Sequence, residues 1–306
     1  HTRSPQETIA SIQLPPGYHL QLVASAPTII SPVCMAWDGN GAMYVCEMRT
    51  YMLDIDGSKS HDRKSRVTRL ESTKGDGVYD KVTVFADNLM LPRQWLPLDD
   101  RILVRETDTK DIFSFRDTDG DGKPDLKKTF MKDLNQPLGM LVYRSWLYIG
   151  NTDGIYRYPY KSGQTEITGK GEKIVDLPPG GYNNHWTRNI ISNPDSTKFY
   201  ISTGSGSNDG EHGMEQEKRR ACILEINPDG SGERVYAYGL RNPIGTAFEP
   251  KTKKLFCVVN ERDNLGDDLV PDYLTQVKDG GFYGWPYSYF GQHEDPRWKG
   301  KIPVGM

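Results

Sequence analysis

The sequence has 306 residues, 36% of them hydrophobic, which is enough for one large or two ordinary globular domains with a sizeable core. Its 38 basic and 41 acidic side chains give a formal charge of -3, which argues against a nucleic-acid surface, because phosphate contacts need concentrated positive charge. No apolar stretch approaches the roughly 20 residues that span a bilayer, so we expect no membrane span. The chain opens with His1 rather than an initiator methionine, which favours a processed, periplasmic or secreted protein.

The composition predicts an all-β protein, because 31 glycines, 20 prolines and 17 tyrosines accompany little helical periodicity. One pattern recurs: a proline or histidine near the start of a strand, a turn, and then a strand similar to Leu-Tyr-Val. The copies start about 45 to 60 residues apart, a spacing typical of four-stranded propeller blades. In chain order, the five copies cover residues 31–46, 91–104, 136–150, 185–202 and 242–259.

A sixth copy begins near Gly280, and Met306 comes before a complete blade. We therefore predict a six-bladed β-propeller whose last blade is incomplete in this chain. It would form a single domain over residues 15–306, after an N-terminal extension over residues 1–14. Loops that enter the innermost strands gather at one mouth of a propeller, so distant parts of the sequence meet there.

Two of these strand entrances carry groups suited to polar redox chemistry. A neutral imidazole at His185 can accept a proton from a substrate hydroxyl while hydride leaves the adjacent carbon. Arg241 and Asn242 precede Pro243, and a guanidinium there can hold a carboxylate or quinone oxygen by two parallel hydrogen bonds. The alternatives are a structural histidine at a blade edge and an arginine that packs one blade against the next.

A first acidic segment, residues 117–125, alternates carboxylates with turn-forming residues, so that oxygens at every second position can surround a hard cation. Lys128 stands where an EF-hand has its final glutamate, so we expect a short structural calcium turn. A weaker copy over residues 74–80 is interpreted as a plain hairpin turn. The expected calcium ligands are Asp117, Asp119, Asp121 and Asp125.

A second acidic segment places four carboxylates within eight residues, and such crowding is repulsive unless a cation compensates it. This favours a second calcium site, with Arg262 as the competing source of positive charge. The carboxylates are those of Glu261, Asp263, Asp267 and Asp268. The aromatic residues that follow can form a wall for a flat cofactor or a sugar, or pack in the core. They are Tyr283, Trp285, Tyr287 and Tyr289.

The four cysteines include one pair that a hairpin would bring together. Cys34 and Cys46 are equally distant from Asn40, so a hairpin that turns there places them opposite each other. A disulfide and two buried free thiols are both compatible with this arrangement. No Cys-x-x-Cys sequence occurs, so structural zinc and covalent haem have no support.

Together these segments resemble the soluble quinoprotein glucose/sorbosone dehydrogenases. The resemblance extends from about residue 15 over most of the chain, and the run Gly-Asp-Asp-Leu-Val-Pro-Asp-Tyr over residues 266–273 makes the sorbosone-like branch the nearest. The motifs that carry it are His185-Trp186-Thr187-Arg188, Gly239-Leu240-Arg241-Asn242-Pro243, residues 260–268 and Gly281-Phe282-Tyr283-Gly284-Trp285-Pro286.

The resemblance implies a propeller that binds pyrroloquinoline quinone (PQQ) and calcium. His185 would be the base, and backbone oxygens near Asp263 and Asn264 would hold the calcium ion. Two departures stand out: Ser205 occupies a position where relatives often have an aspartate that orients the histidine, and the final blade has no counterpart before Met306. The residues implied at the quinone are Arg188, Arg241, Asn242, Tyr283 and Trp285.

The leading hypothesis is a dehydrogenase that oxidises an aldose, a sugar aldehyde or a related polyol. Two electrons would pass through PQQ to an external acceptor such as a quinone or a cytochrome. One alternative is a calcium-dependent lactonase or similar hydrolase, which would turn over without quinone. Another is a noncatalytic propeller that binds carbohydrate or protein and reduces no dye.

Overall fold

The computed structural model describes residues 3–14, 16–179, 185–291 and 293–301. The chain forms two compact units, residues 1–130 and residues 131–306. Among the described residues, strands provide most of the regular structure, together with one α-helix, α1 (Pro5–Ser11), and one 3-10 turn, Met214–Glu217. Across the described ranges, no helix has the length and apolar character needed to cross a membrane.

Helix α1 lies in the predicted N-terminal extension and is held by local hydrogen bonds. Ser4 Oγ accepts a hydrogen bond from the Glu7 amide at 3.2 Å, and the Glu7 carboxylate accepts one from the Ser4 amide at 2.6 Å. This reciprocal capping box satisfies amides that the first helical turn leaves unpaired, and Pro5 at the first helical position loses no bond. No residue of α1 is buried, so its stability is local.

The first unit contains two sheets, each built from four consecutive antiparallel strands in the order β1-β2-β3-β4 and β5-β6-β7-β8. The strands are β1 (Pro32–Trp37), β2 (Met43–Glu47), β3 (Ser65–Glu71), β4 (Lys81–Leu89), β5 (Pro92–Pro97), β6 (Ile102–Glu106), β7 (Ile112–Arg116) and β8 (Leu126–Met131). The first two copies of the predicted repeat are thus confirmed as the first two strands of a sheet.

Both sheets of the first unit have a buried glutamate at the end of their second strand. Glu47 and Glu106 are fully buried. Each accepts a hydrogen bond from a backbone amide, that of Ile30 for Glu47 and that of Met90 for Glu106, both at 2.7 Å. Each also pairs with basic side chains, which compensate the buried charge. The two sheets therefore repeat both their strand order and these polar interactions.

The first hairpin has the register predicted from its cysteines. Cys34 is the direct cross-strand partner of Cys46. Of the two alternatives, disulfide or free thiols, the structure contains free thiols, and Cys34 Sγ donates a hydrogen bond to Gln94 Oε1 at 3.1 Å. The adjacent core is aromatic: the ring of Tyr44 lies 5.2 Å from that of Phe85 in an edge-to-face arrangement.

The second unit contains sheets of four, five and three strands and a two-stranded hairpin, in the orders β12-β11-β10-β9, β13-β14-β15-β16-β20, β17-β18-β19 and β21-β22. The strands are β9 (Met140–Tyr143), β10 (Trp146–Asn151), β11 (Gly154–Pro159), β12 (Glu172–Asp176), β13 (Arg188–Ser192), β14 (Phe199–Thr203), β15 (Cys222–Ile226), β16 (Arg234–Tyr238), β17 (Asn242–Phe248), β18 (Leu255–Asn260), β19 (Tyr273–Val277), β20 (Gly281–Phe282), β21 (Ser288–Tyr289) and β22 (His293–Glu294). The third, fourth and fifth predicted copies each begin one of the three larger sheets.

The predicted sixth copy begins differently from the others. Strand β20 pairs in parallel with β16 and so extends the preceding four-stranded sheet. Gly239 makes this approach possible, since it has φ +75° and a Cβ there would lie 2.4 Å from the Phe282 ring. Residues 302–306 lie outside the described residues, so the incomplete last blade stays a prediction, as does the single domain over residues 15–306.

Candidate active site

The second unit brings together three of the sequence-predicted residues, His185, Arg241 and Asn242, around a glycine. A Cβ on Gly204 would lie 2.5 Å from both the His185 Cβ and the Asn242 Oδ1, so this position has no room for a side chain. The amide of Ser205 donates to the Arg241 carbonyl at 2.7 Å. Residues 180–184 of the predicted histidine motif lie outside the described residues.

The hydrogen bonds of His185 fix its tautomer. Its Nδ1 lies 2.9 Å from Ser205 Oγ and 3.1 Å from the Ser205 carbonyl oxygen. Because the Ser205 hydroxyl donates its own proton to the Ser207 carbonyl, Oγ acts as an acceptor toward the imidazole. Both contacts therefore require the proton on Nδ1, and the lone pair on Nε2 remains to accept another proton.

The environment keeps this imidazole neutral. Burial and, after it, the positive charge of Arg241 lower the pKa of His185 from 6.5 to about 3. The hydrogen bond to the Ser205 backbone acts in the opposite direction but is outweighed. His185 is thus in its proton-accepting form at physiological pH, although as a weak base.

Two buried arginines hold the backbone around His185. Arg188 donates to the carbonyls of Thr187 at 2.7 Å, Pro178 at 3.0 Å and Thr152 at 3.1 Å. Arg220 donates to the carbonyl of His185 at 2.7 Å and also to that of Gly204. Arg188, predicted to contact the cofactor, is directed at backbone oxygens here, and burial lowers its pKa to about 9.

Arg241 uses all five guanidinium N–H groups within the protein. Its Nε donates to the Asn208 carbonyl at 2.9 Å, and its Nη1 donates to the carbonyls of Asn260 and Glu261. Its Nη2 donates to Asn208 Oδ1 at 2.7 Å and to the carboxylate of Asp263 at 3.2 Å. Arg241 is 1% exposed, whereas the Asp263 side chain is 77% exposed. The arginine therefore joins Asn208 to the loop over residues 260–263.

The predicted aromatic residues are divided between two places. Trp285 is buried, and its Nε1 donates to the Asn208 carbonyl at 3.0 Å, the same oxygen that Arg241 contacts. The hydroxyl of Tyr283 instead donates to the Gln276 carbonyl at 2.8 Å and accepts from the Lys278 amide. Trp285 thus belongs to the loops around Arg241, and Tyr283 closes the turn between β19 and β20.

The predicted acidic ligands also separate. Within the described ranges, the cluster of carboxylates close enough to share a cation consists of Asp117, Asp119 and Asp125, whose ligand oxygens all lie within 4.8 Å of one another. Asp121 is outside it and accepts a hydrogen bond from the Lys123 amide instead.

The structure does not bring the four acidic residues of the second acidic segment into such a cluster. Glu261 is buried beside the Arg262 amide, and Asp263 pairs with Arg241. Asp267 and Asp268 are exposed. Arg241 pairs with Asp263, and the charges of Arg241 and Arg262 partly offset that of Glu261, so both carboxylates have positive side chains nearby.

Sequence reasoning missed three residues that organise the site. Asn208 bridges Arg241 and Asp263, and Arg220 holds the His185 carbonyl. Glu217 accepts hydrogen bonds from the Gly206 amide and the Ser207 hydroxyl, which orders the turn behind Ser205. The one sequence feature that pointed to such residues was the glycine-serine run over residues 204–207, because its amides and hydroxyls need hydrogen-bond partners.

The site is electropositive, because Arg188, Arg220 and Arg241 are all buried there and mainly contact uncharged carbonyl oxygens. Burial lowers the pKa of each guanidinium, which shows that the site disfavours this positive charge. An anionic ligand would compensate it. The residues present therefore fit a quinone that carries carboxylates.

These sheets and strand-entrance residues are those of a β-propeller protein. The calcium structure of a Trichoderma reesei carbohydrate-active enzyme of family AA12 has 16% identity and a TM-score of 0.56, covering 78% of this chain and 66% of that chain. A nidogen/laminin complex contains a chain with 12% identity and a TM-score of 0.52, covering 78% and 74%. At these identities the likeness concerns the fold alone.

The chain belongs to the glucose/sorbosone dehydrogenase family, whose model matches residues 140–302, more than half of the sequence. Residues 4–169 match a domain of unknown function, DUF7133. An uncharacterized protein of Borreliella burgdorferi is 29% identical over 180 residues, covering 54% of this chain and 45% of that protein. The matched region thus spans less than half the length of this curated relative.

Proposed function

We propose that the protein is a PQQ- and calcium-dependent dehydrogenase that oxidises an aldose, a sugar aldehyde or a related polyol. The observation that carries the proposal is the half-buried, neutral His185, whose Nδ1 is held by Ser205 and whose Nε2 is left to accept a proton. Membership of the glucose/sorbosone dehydrogenase family supports this reaction class.

In the proposed reaction, His185 Nε2 accepts the hydroxyl proton of the sugar. The Ser205 hydroxyl keeps the ring in the required tautomer. When bound, PQQ supplies the two-electron oxidant for the substrate carbon. Arg188 and Arg220 both donate hydrogen bonds to the His185 carbonyl and would keep the base in position during the catalytic cycle.

The quinone would be held by the electropositive residues of the site and by the side chains beside them. Asp263 is exposed, so an anionic ligand can replace it on Arg241 Nη2 without leaving a buried carboxylate unpaired. Backbone oxygens near Asp263 and Asn264 would hold a calcium ion. An external quinone or cytochrome would receive the electrons.

The proposal includes a six-bladed ring, to which the five described sheets of three or more strands contribute five blades. It also includes a periplasmic or secreted location. Limited proteolysis of the full-length natural protein would show whether a further protected fragment follows the fifth sheet, and fractionation of the native host would show the compartment.

The test is a titration of purified protein with PQQ and calcium, followed by addition of aldoses while the quinone absorbance is recorded. We expect saturable binding and substrate-dependent reduction. Replacement His185→Gln should lower the rate of dye reduction about 10²- to 10⁴-fold, the usual contribution of a general base. His61→Gln, which changes an exposed histidine in the first unit, should leave the rate unchanged.

A His185→Gln protein that reduces dye at the unmodified rate would remove His185 from the mechanism. Absence of PQQ binding would contradict the dehydrogenase proposal. A lactone hydrolysed in the absence of quinone would then identify the hydrolase alternative.

A further inference from the structure

A cavity lies in the second unit, between β19 and the residues that follow β20. Its volume is about 660 Å³, within the usual range of small-molecule sites. Aromatic side chains form much of its wall, those of Phe282, Tyr283, Tyr287, Tyr289 and Phe290. None of the residues that line it is His185, Ser205 or Arg241, so it is distinct from the candidate active site.

The charged residues that line this cavity are both acidic. Glu261 is 5% exposed, and its carboxylate accepts a hydrogen bond from the Arg262 amide at 3.0 Å. Burial raises the pKa of Glu261, while the charges of Arg241 and Arg262 act in the opposite direction. The second acid, Glu294, is exposed. An anion would be repelled here, and the nearby charges of Arg241 and Arg262 reduce the attraction of Glu261 for a cation, which favours a neutral ligand.

The aromatic wall presents faces rather than a closed core. Phe290 is 57% exposed, and Tyr289 is partly exposed with its ring stacked on that of His293 at 5.4 Å. Exposed aromatic rings beside a buried carboxyl combine an apolar surface with a strong hydrogen-bonding group. Sugars require this combination, because one face of a pyranose is lined by C–H groups and its edge carries hydroxyls.

We propose that this cavity binds a neutral mono- or disaccharide, with rings from the aromatic wall stacking on the sugar and Glu261 hydrogen-bonding its hydroxyls. The proposal does not depend on the dehydrogenase activity, since binding requires neither His185 nor a quinone. The two sites are connected through one residue, because Arg241 donates to the carbonyl oxygen of Glu261.

The test is ligand-observed NMR and calorimetry with glucose and maltose, using the full chain with the His185→Gln change and without PQQ. Saturation transfer to the sugar C–H protons is the expected result. Tyr289→Ala should weaken binding about tenfold, which corresponds to about 1.4 kcal/mol. Phe290→Ala should also weaken it, while Tyr18→Ala, which removes an exposed tyrosine of the first unit, should have no effect.

Several outcomes would overturn this proposal. One is the absence of binding by either sugar in a protein whose circular dichroism and melting temperature match those of the unmodified chain. Another is binding that Tyr289→Ala and Phe290→Ala leave unchanged, which would place the sugar elsewhere. Binding of choline chloride without binding of either sugar would assign the cavity to a cationic ligand. If sugars bind but PQQ does not, the cavity proposal stands and the proposed dehydrogenase function fails.

Discussion

At His185, a hydroxyl takes the role that a carboxylate often has in orienting a catalytic imidazole. Ser205 fixes the same tautomer as a carboxylate would, but it brings no negative charge to stabilise a protonated ring. The nearby charges of Arg241 and Arg220 also oppose protonation, and that of Glu211 favours it. The site thus specifies where the proton goes while keeping the base weak.

We predict that the ring resonances of His185 do not titrate between pH 5 and pH 8. Its pKa of about 3 lies below the ordinary 6.5, so as the pH falls the unfolded chain binds a proton first. The contribution of this residue to stability is therefore complete above pH 6.5 and lost progressively toward pH 3. Histidine NMR of the unmodified protein, with His185→Gln for assignment, measures this.

Ser205→Asp is the companion variant, because an added carboxylate beside Nδ1 should raise the pKa of His185 toward neutrality. A titration midpoint near pH 6.5 in the unmodified protein would contradict the arrangement described. A Ser205→Asp protein with an unshifted midpoint would show that position 205 does not control the ring.

At the same scale, the sequence identified His185, Arg241 and Asn242, because strand entrances of repeated units can be recognised from the repeat. The place of Ser205 followed from the resemblance. Asn208 and Arg220 could not be found in this way, because their partners come from distant segments: Asn208 accepts hydrogen bonds from Arg241, and Arg220 donates to the His185 carbonyl. Such contacts depend on how loops pack and leave no regular spacing in the sequence.

Among the elements, the turn between β7 and β8 clusters three of the four acidic residues that the sequence predicted as calcium ligands, Asp117, Asp119 and Asp125, without Asp121. Its glycines allow the bend: Gly120 and Gly122 have φ values of +80° and +89°. Asp117 accepts hydrogen bonds from the amides of both glycines, and Asp125 accepts from Thr118. Three carboxylates held this close repel one another unless a cation is present.

We therefore expect calcium to raise the melting temperature through this turn, because a ligand that binds only the folded chain stabilises it. Differential scanning calorimetry with and without EGTA measures the effect. Asp119→Asn should reduce the calcium-dependent shift, whereas Asp76→Asn, in the weaker copy, should not. An identical melting temperature in calcium and in EGTA would exclude occupancy of the turn.

Two other elements show the limits of pattern reading. The hairpin of Cys34 and Cys46 has the predicted register, because a symmetric turn determines which residues face each other. Helix α1 was not predicted, although Ser4-x-x-Glu7 with Pro5 is a recognisable capping box. This capping box covers only one helical turn, and the composition of the whole chain, which indicated an all-β protein, was given more weight.

On the scale of the whole molecule, the burial of the four cysteines shows that the sheets around them are closely packed. Cys46, Cys222 and Cys257 are buried, and Cys34 is partly so. Burial raises the pKa of Cys34 and of Cys222 to about 11 and that of Cys257 to about 12, so little reactive thiolate forms at pH 8. Burial likewise raises the pKa of Cys46 well above its ordinary value.

We predict that a thiol reagent such as Ellman's reagent reacts slowly with the native protein and counts four thiols after unfolding in guanidinium chloride without reductant. Finding two would mean that Cys34 and Cys46 are oxidised to the disulfide that their register permits. Cys34→Ser separates the cases, since it should lower the count from four to three, or raise it from two to three.

The repeat predicted five sheets correctly because each sheet is built from consecutive strands, with β20 as one addition, and neighbours in the sequence are then neighbours in space. The number of blades in the whole ring could not be settled in the same way. The last copy joins β16 in parallel, and pairing between distant segments has no periodic sequence signal.

The parallel pairing of β20 with β16 also affects the order in which the sheets can be completed during translation. A sheet of consecutive strands can be completed as soon as its last strand leaves the ribosome, without waiting for later residues. The sheet of β13 to β16 is the exception, since its fifth strand, β20, is made only after β17, β18 and β19. Until then the edge of β16 is available to any other extended segment, and chaperone protection at this stage of translation would matter most.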